Sequence, residues 1–581
     1  MDHAPAFAQE WQWSVGVHGG KDHKDTRAWL WIPPSCSKVR AVIVAQNNME
    51  ELSILENGRF RQRMGELGFA EVWISPMFDH TFNFAKGAGE AFAGGMGAGE
   101  VFNRMMGDLA DTSGYTELKY CPVVGVGHSA AASWPYYFAA WDPDRTLACI
   151  SVSGQWPYVR HPAFSPDIWS PEQNIDYIPS LETMGEYEAA DSWSAEGLKE
   201  RVQHPFMPLS MLACPAEGHF AASQKKIDYI ALFIKKAAEY RLPDYDPMKG
   251  PPKLRKIDPM RVGWLMDKWR YDQEPVAAPA PVDRYKGDKA AAFWFFDEEM
   301  VRATEQYESV YRRMQAPLLG YVQEGKIVAQ HNTHLQVHLR FIPGEDGISF
   351  FLKGDFLDTV PGESPRPAMW TGLPVGARIT HPDGEPGRGR IAHPDGESGA
   401  DVHGRAIRID KVIGPFEKIN DTLFRLALEK SSEQAPRNYV LTFAAVWPGD
   451  DVYKPAVQQA EMVVPGVNEE GIEQHISFPV IPDKYVGGSG AKYIGGNGGK
   501  SIGGDGAQVT LTAVSDASLP VYYYVLEGPA VIKGDKLYIT PLPSRARLPV
   551  KVTVVAWQYG RSVEPKVRTA AVVSRTFFIR K

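Results

Sequence analysis

The sequence predicts a multidomain chain in which an N-terminal α/β region, built on a mostly parallel sheet, is followed by all-β sandwich domains. Apolar runs of strand length alternate with helix-like runs as far as about residue 240, which indicates a parallel sheet with helices on both faces. From residue 318 onward the chain consists mostly of short alternating segments separated by turn residues. That pattern favours β-sandwiches.

The strand and helix predictions of the α/β region follow the chain order. The run VRAVIVAQ is continuously apolar, as expected for a strand buried on both faces. Strands are predicted at Thr26–Pro33, Val39–Gln46, Phe69–Phe78 and Thr146–Gly154, in the run CPVVGVG, and in IPSLETMGEYE and MPLSMLACPAEGHF. Helices are predicted in RFRQRMGELG, near residues 100–110, and after His219, where Ile227, Ile230, Ala231 and Ile234 recur at helical spacing.

Beyond the α/β region the sequence predicts one further helix and two sandwiches. The helix lies between Phe293 and Gln315, with Asp297 as its N-cap and with Met300, Thr304, Tyr307, Tyr311 and Met314 on one face. The predicted domains are residues 1–255 (α/β), 256–316 (linker and helix), 317–480 (β-sandwich) and 481–581 (immunoglobulin-like β-sandwich).

Composition excludes several classes of partner. The chain has 581 residues, of which 44% are hydrophobic and 23% charged, and its net charge is −8. With no basic stripe, nucleic acid is not an expected partner. No run approaches the roughly 18 apolar residues that a membrane helix needs. The first residues, MDHAPAFAQEW, have neither the basic nor the apolar segment of a signal peptide.

The four cysteines are expected to be buried free thiols. Cys36, Cys121, Cys149 and Cys214 all lie in the first 220 residues, and no pair has C-x-x-C spacing. That spacing argues against a zinc or redox site. The alternative, if the protein is exported, is that two of the cysteines form a disulfide.

Two short repeats interrupt the β-rich part. ITHPDGEPGRGR is followed by IAHPDGESGADV, and a solvated surface excursion is favoured over the alternative, a cation site formed by Asp383, Glu385, Asp395 and Glu397. The second repeat has a period of eight residues, in KYVGGSGA, KYIGGNGG and KSIGGDGA. Three copies are too few for a solenoid, so a glycine-rich surface flap is expected.

The run PVVGVGHSAAASW places Ser129 directly after a predicted strand. A nucleophilic serine needs a sharp strand-to-helix turn that leaves its oxygen exposed at the carboxyl edge of a sheet. Small neighbours are required there, and Gly127, Ala130 and Ala131 supply them. The usual second glycine is replaced by Ala131, and an N-cap serine is the alternative.

A serine nucleophile also needs a base and an orienting carboxylate. In strand-turn serines of this kind the chain order is serine, acid, histidine. GEYE ends one predicted strand and offers Glu188, with Glu186 as the alternative acid, and EGHF ends the last strand and offers His219, with Glu217 as a weaker acid. His128 is expected to be a packing residue, because a neighbour on a tight turn points away from the serine.

The tetrahedral intermediate needs hydrogen-bond donors for its oxyanion. The backbone N–H of Ala130 is one expected donor. The other is the backbone N–H of Asn47 or Asn48, in the loop QNNMEE after an apolar strand, where an Asn side chain could also contact the substrate; a plain asparagine-rich turn is the alternative. Trp134, Gln155 and Trp156 are the expected substrate-binding residues, and plain packing is the alternative for the aromatic ones.

Residues of about 25 to 240 resemble the serine esterase branch of the α/β-hydrolase superfamily, through GVGHSAA, GEYE and EGHF. The resemblance implies acyl transfer by Ser129, His219 and Glu188, with no metal and no organic cofactor. The sequence departs from the family at Ala131 and in lacking an HGG motif after the apolar strand, which puts the elbow packing and the oxyanion geometry in question.

The β-rich half is similar in texture to sandwich modules of secreted bacterial polysaccharide-degrading enzymes, and SDASLPVYYYVLEGPAVIKGDKLYI resembles bacterial immunoglobulin-like repeats. This resemblance implies a secreted or periplasmic esterase acting on acetyl or feruloyl esters of plant cell-wall carbohydrate. Two alternatives remain: an inactive hydrolase-like protein that binds polysaccharide, and a serine peptidase. The oligomeric state is not predicted.

Overall fold

The structure is a computed structural model. It describes residues 10–19, 25–79, 82, 97–158, 174–330, 336–362, 376–378, 406–432, 437–485 and 508–581. Both HPDGE repeats, with Asp383, Glu385, Asp395 and Glu397, lie outside these ranges, as does most of the period-eight repeat.

The N-terminal part is an eight-stranded sheet with helices on its faces. The predicted α/β class is therefore confirmed. The strands are β1 (Trp13–Gly16), β2 (Arg27–Trp31), β3 (Ala41–Gln46), β4 (Phe69–Ser75), β5 (Val123–His128), β6 (Thr146–Val152), β7 (Ser180–Gly185) and β8 (Leu209–Cys214). The helices are α1 (Glu51–Leu55), α2 (Gly58–Leu67), α3 (Ala98–Ser113), α4 (Trp134–Trp141), α5 (Ala190–Gln203) and α6 (Gln224–Arg241).

The strand order of this sheet is β1-β2-β4-β3-β5-β6-β7-β8. Strand β2 pairs antiparallel with β1 and β4, and every other pairing in the sheet is parallel. Strands β3 to β8 are buried along their whole length, as strands covered on both faces must be. Parallel strands end at one edge, so the loops after β3, β5, β6, β7 and β8 meet there.

Residues 256–316 contain more than the predicted linker and helix. Three short strands, β9 (Trp264–Asp267), β10 (Ala280–Pro281) and β11 (Ala292–Phe295), form a sheet, and Phe293 and Trp294 of β11 are buried in the core that β8 also enters. Helix α7 spans Glu298–Glu308, with the Asp297 side chain accepting a hydrogen bond from the N–H of Met300.

The predicted helix extended too far. It ends at Glu308, and Tyr311 and Arg313 adopt positive φ angles of 64° and 61°, which an α-helix does not allow. Met300, Thr304 and Tyr307 share its buried face, but Tyr311 and Met314 lie beyond its end. The apolar spacing continued past the residues that fold as a helix.

The second half is β-rich, as predicted, and its small sheets are mostly antiparallel. The sandwich and immunoglobulin-like assignments stay predictions. The first group of strands is β12 (Leu319–Gln323), β13 (Lys326–Ile327), β14 (Val337–Leu339), β15 (Ser349–Phe351), β16 (Lys353–Phe356), β17 (Arg408–Ile413), β18 (Phe416–Lys418), β19 (Leu423–Leu426), β20 (Asn438–Trp447) and β21 (Ala456–Pro465). The second group is β22 (Ile476–Ser477), β23 (Lys484–Tyr485), β24 (Gln508–Thr510), β25 (Val514–Ser515), β26 (Tyr522–Glu527), β27 (Ala530–Lys533), β28 (Lys536–Ile539), β29 (Val550–Trp557) and β30 (Val573–Arg580).

The two halves share their hydrophobic cores. One core runs from Trp29 of β2 to Phe443 of β20, and a second from Leu30 of β2 to Val552 of β29. The indole N–H of Trp29 donates to the carbonyl of Leu526 at 2.9 Å. The β-rich half is thus packed directly on the α/β sheet. Within the described ranges, no helix has the length and apolar character needed to cross a membrane.

Candidate active site

Ser129 begins the turn that leaves β5 at the carboxyl edge of the sheet, and its φ angle is 52°. A positive φ is uncommon for a residue other than glycine, and strained conformations of this kind cluster at functional sites. Gly127 makes the turn possible, because a Cβ there would lie 2.0 Å from the carbonyl oxygen of Ala131. The backbone therefore doubles back in contact with the strand.

Ala131 is accommodated in this turn. Its side chain is fully buried in the core on one face of the sheet, so the methyl group that replaces the usual glycine fills space rather than blocking Ser129. The following Ala132 packs against Gly154, where an added Cβ would lie 2.0 Å from the Ala132 Cβ. Gly127 and Gly154 thus supply the room.

His219 bridges Ser129 and Glu188. Its Nε2 lies 2.9 Å from Ser129 Oγ, and its Nδ1 lies 2.6 Å from Glu188 Oε2. Because a carboxylate only accepts, Nδ1 carries the proton, and Nε2 is left to accept from the serine hydroxyl. The side chains of His219 and Glu188 are 30% and 12% exposed, so the base is open to solvent while the acid is largely covered.

Three donors among the described residues hold Glu188, His219 being the first. The second Glu188 oxygen accepts from Ser153 Oγ and from the N–H of Gly185, each at 2.9 Å. Burial raises the pKa of Glu188, but the hydrogen bond and charge of His219, with the Gly185 N–H, outweigh burial and leave that pKa below its ordinary value. Glu188 is therefore ionised at neutral pH and can orient the imidazole.

The other two candidate acids point elsewhere. Glu186 accepts from the N–H of Ala216 at 2.8 Å and pairs with Lys454 of the β-rich half. Glu217 accepts from Tyr307 Oη at 2.7 Å and lies 3.2 Å from Lys226 Nζ. Neither glutamate bonds to the ring of His219, whereas Glu188 does, so the geometry favours Glu188.

His128 packs beneath the base. It is fully buried, and its Nε2 donates to the backbone carbonyl of His219 at 2.9 Å. Burial and the neighbouring His219 lower the pKa of His128 well below its ordinary value, so the ring is neutral. Its place behind the turn is the one expected from its position next to Ser129.

The expected oxyanion donors are only partly available. No described residue accepts from the N–H of Ala130. The N–H of Asn47, however, donates to Ile74 O at 2.7 Å, and that of Asn48 to Glu51 Oε2 at 2.9 Å. Both backbone N–H groups are therefore already used.

The side chains of the two asparagines differ. Asn48 Nδ2 reaches the carbonyl of His128 at 3.2 Å, beside the serine. Asn47 Oδ1 instead accepts from the indole of Trp73 at 3.1 Å. Asn48 alone thus brings a side-chain donor next to the Ser129 turn.

Two of the expected substrate-binding residues are buried, which corrects that assignment. Trp134 and Trp156 are each 1% exposed. The Trp134 indole donates to Val126 O at 2.9 Å, and that of Trp156 to Trp193 O at 2.8 Å. The sequence position did not distinguish the two cases, because an aromatic residue next to a strand end can pack in the core or line a cleft. Gln155 is partly exposed, but its Oε1 is buried without a partner among the described residues.

The sequence reasoning missed residues that support the site from behind. Glu51 accepts from the N–H groups of Asn48, Met49 and His128, at 2.9, 2.8 and 2.7 Å, and so ties the loop after β3 to the serine turn. Burial raises the pKa of Glu51 to about 7. The sequence signal for Glu51 was weak, because it lies five residues after the end of the buried strand β3, at the start of α1. The four cysteines are buried and unpaired.

The strand order, with β2 reversed and a serine turn after β5, is the arrangement of the α/β-hydrolase fold. Within the described ranges, no group of three or more His, Cys, Asp and Glu side chains is placed to hold a metal ion. No protein-family model and no curated protein matches the chain.

Several solved structures resemble part of the chain. The dienelactone hydrolase from Anabaena variabilis shares 14% identity and a TM-score of 0.27, covering 41% of this chain and 98% of its own. An S-formylglutathione hydrolase from Agrobacterium tumefaciens shares 16% identity and a TM-score of 0.26, covering 41% and 93%. Est1E from Butyrivibrio proteoclasticus shares 15% identity and a TM-score of 0.25, covering 38% and 97%.

Proposed function

We propose that the protein is a serine hydrolase that cleaves carboxylic esters through Ser129, His219 and Glu188. The observation that carries the proposal is the bridge made by His219, whose two nitrogens lie 2.9 Å from Ser129 Oγ and 2.6 Å from Glu188 Oε2. A nucleophile, a base and an orienting acid within hydrogen-bond reach are what acyl transfer requires. The positive φ of Ser129 is further support.

In the proposed reaction His219 Nε2 takes the proton of Ser129 as its oxygen attacks the ester carbonyl carbon. The resulting oxyanion accepts hydrogen bonds from the N–H of Ala130 and from Asn48 Nδ2. The imidazolium, stabilised by Glu188, then protonates the departing alcohol, and the acyl group stays on Ser129. His219 next deprotonates a water molecule that attacks the acyl carbon, and the acid product leaves as the proton returns to Ser129.

We propose that the substrates are acetyl or feruloyl esters of plant cell-wall carbohydrate. The support is the resemblance of the β-rich half to modules of polysaccharide-degrading enzymes. Ser129 and Ala130 are partly exposed, which a substituent on a large carbohydrate requires. Gln155 remains a proposed contact at the edge of the site.

A fluorophosphonate probe tests the nucleophile. We expect the native protein to be labelled at Ser129, because the probe reacts with serines activated by a base. Labelling is expected to disappear in Ser129→Ala and in His219→Ala, and mass spectrometry of the digested protein locates the label. Loss of either side chain is expected to lower kcat by up to about 10⁶-fold.

The control is His475→Ala, at an exposed histidine far along the chain. It should be labelled like the native protein. Native protein that takes up no label would refute the serine hydrolase and favour the inactive binding protein. Turnover of p-nitrophenyl acetate, methyl ferulate and acetylated xylan, with peptide amides untouched, separates an esterase from a peptidase.

A further inference from the structure

Glu186 connects the two loops that carry the acid Glu188 and the base His219, which follow β7 and β8. It lies two residues before Glu188, in the turn after β7, and it is 3% exposed. Its Oε2 accepts from the N–H of Ala216, in the loop that leads from β8 to His219, at 2.8 Å. One carboxylate therefore ties the acid turn to the histidine loop.

Further contacts join the same two loops. The N–H of Tyr187 donates to the carbonyl of Glu217 at 3.0 Å, and a Cβ on Gly185 would lie 2.5 Å from that same oxygen. Ala216 has a φ angle of 60°, a conformation that persists only where its surroundings fix it. The two loops are thus in direct backbone contact.

The counter-charge for Glu186 comes from the other half of the molecule. Lys454, 2% exposed, pairs through its Nζ with Glu186 Oε1. Its backbone N–H donates to Gln315 O at 2.9 Å, and its ammonium lies 4.8 Å from the centre of the Tyr271 ring. Lys454 immediately precedes Pro455 and β21, so its position is set by the first strand group of the β-rich half.

The same stretch of the β-rich half contacts both loops elsewhere. Tyr187 Oη donates to the carbonyl of Pro455 at 2.6 Å. A Cβ on Gly218 would lie 2.7 Å from Gln459 Nε2, so β21 passes directly over the residue before His219. Apolar contacts also join Phe220 and Tyr187 to Val457 in one cluster.

We propose that Lys454 and Glu186 form a positioning pair, through which the β-rich half holds Glu188 and His219 in line with Ser129. The proposal rests on the proposed function for its effect on catalysis. Without Lys454, the buried Glu186 carboxylate has no ion-pair partner among the described residues, so its charge is uncompensated and the side chain must move. This movement displaces the turn that carries Glu188, and misplacing a reacting group by about 1 Å can cost about 10²-fold in rate.

The experiment compares Lys454→Met, Glu186→Gln and the double variant Glu186→Gln/Lys454→Met. We expect Lys454→Met to lower kcat by about tenfold to a hundredfold with KM little changed. The double variant removes both charges and keeps an oxygen for the Ala216 N–H, so it should recover most of the lost kcat. Lys454→Arg should retain activity, because the guanidinium can make the same pair.

The matched control is Lys430→Met. Lys430 also crosses from the β-rich half, lies 2.8 Å from Glu56 Oε1, and is largely buried, but it contacts neither loop. If the Lys454–Glu186 pair were merely structural, Lys430→Met and Lys454→Met would both lower the melting temperature, and their kcat values would be equal. Equal kcat in these two variants would overturn the proposal, as would a double variant as slow as Lys454→Met.

Amide hydrogen exchange measures the local stability of the two loops and does not depend on catalytic activity. In Lys454→Met, peptides covering Glu186–Glu188 and Ala216–His219 should exchange faster while β3 and β5 stay protected, and the double variant should restore protection. Unchanged exchange in both loops would refute the positioning role. A native protein that fails to react with the fluorophosphonate would instead refute the proposed function and leave the exchange result to decide the positioning.

Discussion

The carboxyl group of Glu50 is fully buried beside His128, whose Nε2 lies 3.9 Å from Glu50 Oε2. Neither of its oxygens has a hydrogen-bond partner among the described residues. Burial, with smaller contributions from the charges of Glu188, Glu217 and Glu51, raises the pKa of Glu50 to about 8 against the opposing charge of Lys226. Folding must therefore keep a proton on this group at neutral pH.

The sign of the pH dependence follows from this raised pKa. The unfolded chain loses the proton near pH 4.5, but the folded protein keeps it until about pH 8. Between these values each pH unit lowers the free energy of unfolding by about 1.4 kcal/mol. Below pH 4.5 both states hold the proton, and above pH 8 neither does, so the cost is constant there.

Glu50→Gln should remove this dependence. We expect the free energy of unfolding of the variant to gain on that of the native protein as pH rises from 4.5 to 8, and the difference to level off above pH 8. Denaturant titrations at a series of pH values measure it, with Glu66→Gln, at an exposed position on α2, as the control. Parallel pH–stability curves for Glu50→Gln and native protein would contradict the expectation.

In the loop between β3 and α1, the side chains of Asn47 and Asn48 make different contacts. Asn48 Nδ2 lies beside the Ser129 turn, whereas Asn47 Oδ1 is held by the indole of Trp73. Asn48→Ala should lower kcat by about 10²- to 10³-fold, as loss of one oxyanion donor does. KM should change little, because the oxyanion forms only in the transition state.

Asn47→Ala is the matched variant, since it removes the same amide one residue away. It should lose stability through the unpaired Trp73 indole while keeping most of its kcat. Ester hydrolysis measured for both variants at saturating substrate gives the comparison. Equal loss of kcat in the two would rule out Asn48 as the donor.

Elements with a strong local pattern were the ones that the sequence predicted well. Apolar runs marked seven of the eight sheet strands, β2 to β8, whereas the short β1 was not predicted. The ends of parallel strands must share an edge, so the grouping of Ser129, Glu188 and His219 could be expected from their order. The end of α7 was missed, because apolar residues continued at helical spacing beyond Glu308. Trp156 was misplaced, because burial beside α5 depends on partners such as Trp193 that no local pattern names.

At the scale of the whole molecule, the halves are joined by buried charge as well as by shared cores. Arg545 of the β-rich half lies 2.8 Å from Glu117 Oε1, whose side chain is fully buried in the α/β half. Glu117 also accepts from the N–H of Val39 at 3.0 Å. Contacts between residues hundreds of positions apart leave no periodic trace, which explains why the sequence indicated separate domains and not their packing.

Arg545→Met should destabilise the whole chain. It leaves Glu117 buried without its cation, and we expect the free energy of unfolding to fall by about 3 kcal/mol, a modest value for such a loss because Arg545 is partly exposed. Denaturant unfolding followed by fluorescence and by circular dichroism measures it. Arg547→Met, which removes an exposed hydrogen bond to Asp111 O, is the control. Equal stability of the two variants would refute the expectation.

Lys454 and Glu186 are separated by 268 positions in the chain. During translation, the pair can therefore form only late. Ser129, Glu188 and His219 leave the exit tunnel well before Lys454 is translated. At usual elongation speeds the delay is on the order of tens of seconds. A nascent chain arrested before Lys454 should therefore react poorly with a fluorophosphonate, and a chain arrested well after β21 should react readily. The competence for the proposed reaction would then be acquired late in translation.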